Sequence, residues 1–104
     1  MDGLIDGMNI LKGMANLFFS SKEKKTILPK KIELMIITME ECGELIQACS
    51  KYIRFNNKDR IKQEAGDLYA MLELMVEYKL LDWKDIKQQA KNKRKKLSQY
   101  SSLI

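Results

Sequence analysis

Residues 35–46 place three glutamates inside an otherwise apolar run, Met35-Ile36-Ile37-Thr38-Met39-Glu40-Glu41-Cys42-Gly43-Glu44-Leu45-Ile46. Glu41 and Glu44 are three positions apart, so on a helix they share one face. A solvated acidic face usually carries Lys or Arg three or four positions away, but Leu45 and Ala48 stand four positions after these glutamates. The run therefore predicts a helix whose carboxylates lack a neutralising cation close by in sequence.

A second pair of acids occurs later in the chain, where Glu64 and Asp67 are again three positions apart. Asp67 has no basic residue three or four positions away, whereas Glu64 has Arg60 four positions before it. Helices joined by a short connection pack antiparallel, so we expect the two acidic pairs to face each other across the contact.

Two interpretations of these four acids remain open. Converging carboxylates repel one another and persist in proteins by ion pairing, by protonation or by binding a metal ion. Oxygen ligands without histidine or thiolate suit Mg²⁺, then Mn²⁺ or Ca²⁺. The alternative is a polar helix face that pairs with lysines elsewhere in the fold or in a second subunit.

Apolar periodicity predicts an all-α fold, a small antiparallel bundle of about four helices. We expect helices over residues 4–19, from Pro29 to Phe55, over 58–79, and after Asp82 as N-cap. Apolar stripes are predicted on the first helix at Leu4, Met8, Leu11, Ala15 and Phe18, and on the second at Ile32, Ile36, Met39, Ile46 and Ile53. In the third helix we expect burial of Leu68, Met71, Leu72, Met75 and Val76.

The two cysteines, Cys42 and Cys49, lie seven positions apart on the predicted second helix. Their Cα atoms are then about 10 Å apart, whereas a disulfide requires less than about 7 Å. We therefore predict reduced thiols in the core. The chain has no histidine, which argues against a structural zinc site and against a di-iron bundle.

Composition predicts one soluble globular domain, because the 104 residues are 45% hydrophobic and 32% charged. No run of about eighteen apolar residues predicts a membrane span. The start Met1-Asp2-Gly3 carries an acid where a signal peptide requires basic charge, so we expect a cytoplasmic protein.

The net charge of +5 is concentrated near the C-terminus, at Lys84, Lys87, Lys91, Lys93, Arg94, Lys95 and Lys96. Such a cluster attracts the phosphates of a nucleotide, a nucleic acid or an anionic lipid surface. A solvated helix end is an equally good explanation of the charge. Few aromatic residues accompany it, so nucleic acid is the less favoured partner.

At its acidic segments the sequence resembles the MazG-like nucleotide pyrophosphohydrolases, of the all-alpha NTP pyrophosphatase superfamily. Glu40-Glu41-Cys42-Gly43-Glu44-Leu45 resembles that family's E-E-x-x-E segment. Glu64-Ala65-Gly66-Asp67-Leu68 resembles its following E-x-x-D segment. The basic stretch Lys91-Asn92-Lys93-Arg94-Lys95 is similar to one that often follows in the family. The resemblance covers about residues 30–97.

The resemblance implies a catalytic domain over residues 29–104, preceded at 1–28 by an amphipathic helix and a polar connection. It implies hydrolysis of nucleoside triphosphates between the α and β phosphates, with Mg²⁺, or alternatively Mn²⁺, as the cofactor. The implied metal ligands are Glu41, Glu44, Glu64 and Asp67, with Glu40 and Glu41 as the catalytic residues.

In this interpretation Glu40 is an outer-shell ligand or orients the attacking water. Lys91, Asn92, Lys93, Arg94 and Lys95 are the implied substrate-binding residues. Family members of this length are usually homodimers or homotetramers. The competing hypothesis is a non-catalytic helical regulatory protein that binds a nucleotide or a nucleic acid.

Overall fold

The computed structural model describes residues 27–104, and the helix predicted at 4–19 lies outside this range. The described residues form three α-helices: α1 (Lys30–Phe55), α2 (Asp59–Glu77) and α3 (Trp83–Leu97). They contain no strand, so the all-α prediction is confirmed for this part of the chain. None of these three helices combines the length and the hydropathy that a membrane crossing requires.

The boundaries of α1 follow from backbone chemistry at each end. Pro29 directly precedes the first helical residue, and its carbonyl accepts a hydrogen bond from the Glu33 N–H at 3.0 Å. At the other end Asn56 adopts the left-handed conformation (φ 53°, ψ 30°), and its N–H donates to the Tyr52 carbonyl at 2.9 Å. Asparagine tolerates this conformation better than most residues, which explains why the helix ends there.

A short turn reverses the chain between α1 and α2. The Asn57 side-chain oxygen accepts a hydrogen bond from the Asp59 N–H at 3.0 Å and so caps the start of α2. Contacts between the helices run in opposite order, because Glu44 lies beside Arg60 while Glu41, earlier on α1, lies beside Asp67. The two helices are therefore antiparallel, as predicted.

Burial departs from the sequence prediction on both helices. Of the apolar stripe predicted on α1, only Ile36 is buried, while the other members are 42–75% exposed: Ile32, Met39, Ile46 and Ile53. The α2 residues predicted to be buried are only half-buried: Leu68, Met71, Leu72, Met75 and Val76. Cys42 and Cys49 are free thiols, but both are exposed, so their predicted place in the core is wrong.

The described chain divides into two compact units, one ending at Leu74 and the other comprising Met75–Ile104. In the first unit the buried side chains include Leu34, Ala48 and Glu64. A carboxylate is thus among the most deeply buried groups of this unit.

In the second unit, α2 ends in a Schellman motif. The Leu80 N–H donates to the Met75 carbonyl at 2.9 Å, and the Lys79 N–H to Val76 at 3.0 Å, with Lys79 at φ 64°. The Asp82 side chain then accepts a hydrogen bond from the Lys84 N–H at 2.7 Å, which confirms Asp82 as the N-cap of α3.

Candidate metal centre

Three carboxylates from α1 and α2 converge on one point. Ligand oxygens of Glu41, Glu64 and Asp67, one from each residue, all lie within 4.8 Å of one another. Glu64 and Asp67 share a face of α2 because they are three residues apart, and the antiparallel pairing brings Glu41 of α1 against that face. We call these three residues the carboxylate cluster.

Arg60 neutralises one side of this group. Its guanidinium donates a hydrogen bond of 2.5 Å to Glu64, whose side chain is only 2% exposed, and lies 3.9 Å from a carboxylate oxygen of Glu44. The ion pair with Glu64 is local, one helical turn apart, and was visible as a spacing in the sequence. The contact with Glu44 crosses between helices, so Glu44 has a cation beside it that its own helix does not supply.

Arg60 is therefore a member of the site that the motifs did not include. The structure places Glu44, the fourth predicted ligand, beside this arginine, whereas the carboxylate cluster consists of the other three predicted ligands. Pairing with both glutamates raises the pKa of Arg60, chiefly through its hydrogen bond to Glu64, so the guanidinium remains charged.

Glu41 lies in surroundings that disfavour its charge. Burial raises the pKa of its carboxyl first, and the negative charges of Asp67, Glu64, Glu40 and Glu44 raise it further, in that order. Two unit charges 4.8 Å apart repel by about 3 kcal/mol at an effective dielectric constant of about 20. The cluster therefore favours either a proton on Glu41 or a cation between the carboxylates.

The donor set fits a hard divalent cation. Carboxylate oxygens are the ligands preferred by Mg²⁺ and Ca²⁺, and Mn²⁺ suits the same donors. Oxygens on opposite sides of one Mg²⁺ are about 4.2 Å apart, since each ligand lies about 2.1 Å from the ion. The observed spread of up to 4.8 Å exceeds this limit, so the three side chains must move closer together to hold one Mg²⁺.

The predicted substrate-binding residues lie on α3, in the second unit, and all five are exposed: Lys91, Asn92, Lys93, Arg94 and Lys95. Two of them have partners within this unit. The Asn92 side-chain oxygen accepts a hydrogen bond from Gln88 at 3.1 Å, and the Lys93 ammonium donates to the Tyr100 hydroxyl at 3.3 Å. Positive charge thus lies along the surface of α3.

A glycine precedes the last acid of each motif, and the two glycines differ in burial. Gly43 on α1 is buried, whereas Gly66 on α2 is exposed, and a Cβ added at Gly66 would meet no atom within 4 Å. Packing within the described chain therefore gives no reason for glycine at position 66.

Comparisons of the chain with protein families, with curated proteins and with solved structures give no match.

Proposed function

We propose that this chain is a cytoplasmic, Mg²⁺-dependent nucleoside triphosphate pyrophosphohydrolase, releasing a nucleoside monophosphate and pyrophosphate. The observation that supports the proposal best is the carboxylate cluster: oxygens of Glu41, Glu64 and Asp67 within 4.8 Å, contributed by two antiparallel helices. The order of these acids along the chain also resembles the motifs of MazG-like enzymes. We further propose that the protein works as a homodimer or homotetramer.

In this proposal Glu41, Glu64 and Asp67 hold the cation, with Glu44 as a fourth ligand that exchanges its contact with Arg60 for the metal. A bound divalent cation neutralises triphosphate charge and lowers the pKa of a coordinated water. Mn²⁺ suits the same ligands.

We also propose roles for residues outside the carboxylate cluster. Glu40 adds negative charge next to Glu41, which suits a group that accepts a hydrogen bond from the attacking water and orients it. Lys91, Lys93, Arg94 and Lys95 of α3 supply cations for phosphate oxygens, and Asn92 supplies an amide for hydrogen bonding to the nucleotide.

The test is a product-resolved assay across the common NTPs and dNTPs, with and without Mg²⁺. We expect monophosphate and pyrophosphate in equal amounts from at least one nucleotide, and none when the metal is chelated. The Glu41→Gln and Asp67→Asn variants should lose at least a hundredfold in turnover while keeping the helical circular dichroism signal, since each removes a ligand charge.

Glu73→Gln is the matched control, because Glu73 is an exposed acid on the same α2 helix outside the carboxylate cluster. It should retain full turnover. A folded wild-type protein that releases no product from any nucleotide would falsify the proposal. Thermal stabilisation by Mg²⁺, measured without nucleotide, reports metal binding separately from activity.

A second candidate function is a non-catalytic regulatory protein that binds nucleotides or nucleic acid. It is favoured by the exposed basic residues of α3. This hypothesis predicts binding to a DNA or RNA strand that weakens steeply with salt. It is excluded if the protein turns over nucleotides and shows no salt-sensitive binding at low ionic strength.

A further inference from the structure

An open apolar groove lies along one flank of α1. Its volume is about 410 Å³, within the range of small-molecule sites in proteins. Of the described residues that line it none is charged, and apart from Ser50 they contribute hydrocarbon and thiol groups: Cys42, Leu45, Ile46, Cys49 and Ile53 of α1, and Leu68 of α2. We call it the α1 groove.

The α1 groove is elongated. Cys42, Ile46, Cys49 and Ile53 follow one another at spacings of four, three and four residues, so they share one side of the helix. From Cys42 to Ile53 this side extends about 17 Å along the helix axis. Ile46 is 43% exposed and Ile53 is 75% exposed, and both thiols are exposed. The groove is therefore open to solvent along its length.

One end of the α1 groove adjoins the carboxylate cluster. Cys42 directly follows Glu41 on α1, and Leu68 directly follows Asp67 on α2. Because the antiparallel pairing brings Glu41 against Asp67, both lining residues lie at the end of the groove where the acids converge. A ligand that fills the groove can therefore extend a head group from this end to the carboxylate cluster.

The lining of the α1 groove favours a hydrocarbon chain over a nucleobase. A base buries N–H and carbonyl groups, and each one left without a hydrogen-bond partner weakens binding. Among the described lining residues the hydroxyl of Ser50 is the one strong hydrogen-bonding side chain, since thiols are weak donors and acceptors. A hydrocarbon chain needs no polar partner, and each CH₂ removed from water tightens its binding by up to about fourfold.

The carboxylate cluster determines which head group fits at the other end of such a ligand. Its acids repel an anion in the absence of a bound cation and attract one when a divalent cation is bound. We propose that alkyl or isoprenoid diphosphates are further substrates of this site, with the hydrocarbon chain in the α1 groove and the diphosphate at the carboxylate cluster. This proposal rests on the cation site of the proposed function, and not on the turnover of nucleotides.

The reaction on a diphosphate ester is the same phosphoanhydride hydrolysis that we propose for nucleotides. The oxygen of a water molecule forms a bond to one phosphorus, and the bond from that phosphorus to the bridging oxygen breaks. The products are the alkyl monophosphate and inorganic phosphate, and one proton passes to the solvent.

The experiment uses the two thiols of the α1 groove as reporters of binding. Cys42 and Cys49 are the two cysteines of the chain, and their reaction with DTNB is followed in the full chain with Mg²⁺ present. Saturating octyl diphosphate, kept below its micelle concentration, should slow the reaction at least tenfold, whereas inorganic pyrophosphate should change it little. From butyl to hexyl to octyl diphosphate, the concentration for half protection should fall about twofold to fourfold per CH₂.

Ile46→Asn and Ile32→Asn form a matched pair of variants on α1. Ile46 lines the α1 groove and is 43% exposed, while Ile32 is 49% exposed and is not among the lining residues. Ile46→Asn should weaken protection by octyl diphosphate at least fivefold, because an amide replaces apolar surface against the chain. Ile32→Asn should match the wild type, and both should keep the helical circular dichroism signal. The chain-length series in the wild type tests the groove without any substitution.

Three results would overturn the proposal. Thiols of the free wild type that do not react with DTNB would mean that a second copy or another segment of the chain covers the α1 groove. Protection that is independent of chain length would place the hydrocarbon outside it. Octyl diphosphate that binds without yielding octyl monophosphate would not be a substrate.

The two proposals fail separately. Chain-length-dependent protection and release of octyl monophosphate, in a protein that hydrolyses no nucleotide, would support the α1 groove and contradict the NTP pyrophosphohydrolase. Nucleotide hydrolysis without chain-length-dependent protection would do the reverse.

Discussion

Among individual side chains, Glu41 has surroundings unfavourable to a negative charge. Its pKa is raised by burial and then by four neighbouring acids. In the unfolded chain the carboxyl has its ordinary pKa, so the fold binds the proton more tightly than the unfolded chain does. The contribution of Glu41 to the free energy of unfolding is therefore fully present below pH 4.5. It is lost as the pH rises through the raised pKa of the folded state.

The first prediction follows from this pH dependence of stability. In metal-free buffer at pH 7, Glu41→Gln should melt at a higher temperature than the wild type, because the amide removes the repulsion. The difference should disappear near pH 4, where the Glu41 carboxyl is protonated. Differential scanning calorimetry at both pH values is the measurement, and a lower melting temperature for the variant at pH 7 would contradict the account.

Removing the charge of Arg60 should have the opposite effect on the melting temperature. Arg60→Gln leaves the buried Glu64 without its charged partner and removes the cation beside Glu44. The variant should therefore melt below the wild type in metal-free buffer. Added Mg²⁺ should narrow the difference, since a cation among the carboxylates replaces the lost positive charge.

Lys62→Gln, an exposed substitution on the same helix, is the control for Arg60→Gln and should change the melting temperature little. Equal melting of Arg60→Gln and wild type without metal would show that Arg60 does not stabilise the site.

The three described helices were largely predictable from sequence, because residues at their ends determine where each helix begins and ends. Pro29, Asn56 and Asp82 lie at the boundaries that their types predict. Spacing of three within each acidic pair, together with the short turn, was sufficient to bring Glu41 against Glu64 and Asp67. The contact of Arg60 with Glu44 was not predictable, because it depends on the register of two helices and leaves no periodic signal.

Gly66 gives a prediction about the stability of α2. Glycine inside a helix costs about 0.5–1 kcal/mol relative to alanine, and a Cβ at this exposed position meets no neighbouring atom. Gly66→Ala should therefore raise the free energy of unfolding by about 0.5–1 kcal/mol. This corresponds to an increase of several degrees in melting temperature. Chemical denaturation measures this, and a destabilised variant would indicate a close approach by another molecule at position 66.

At the scale of the whole molecule, the apolar periodicity of α1 was a misleading guide to which residues are buried. It predicted a stripe but not what covers it, and in the described chain Ile32, Met39, Ile46 and Ile53 remain exposed. A periodic pattern does not distinguish a helix face that packs within its own chain from one that packs against another copy.

Metal binding should couple to the stability of the protein. At ten times its dissociation constant, Mg²⁺ should stabilise the native state by about 1.4 kcal/mol, which is on the order of 5–10 °C in melting temperature for a domain of this size. Asp67→Asn should abolish most of this shift.

Direct titration with Mn²⁺, followed by electron paramagnetic resonance, tests whether the carboxylate cluster holds a divalent cation. The six-line signal of free Mn²⁺ should decrease with wild-type protein and with Glu73→Gln, and excess Mg²⁺ should restore it by competition. Asp67→Asn should leave most of the Mn²⁺ free. If Asp67→Asn binds Mn²⁺ as tightly as the wild type, the cation site is not formed by Glu41, Glu64 and Asp67.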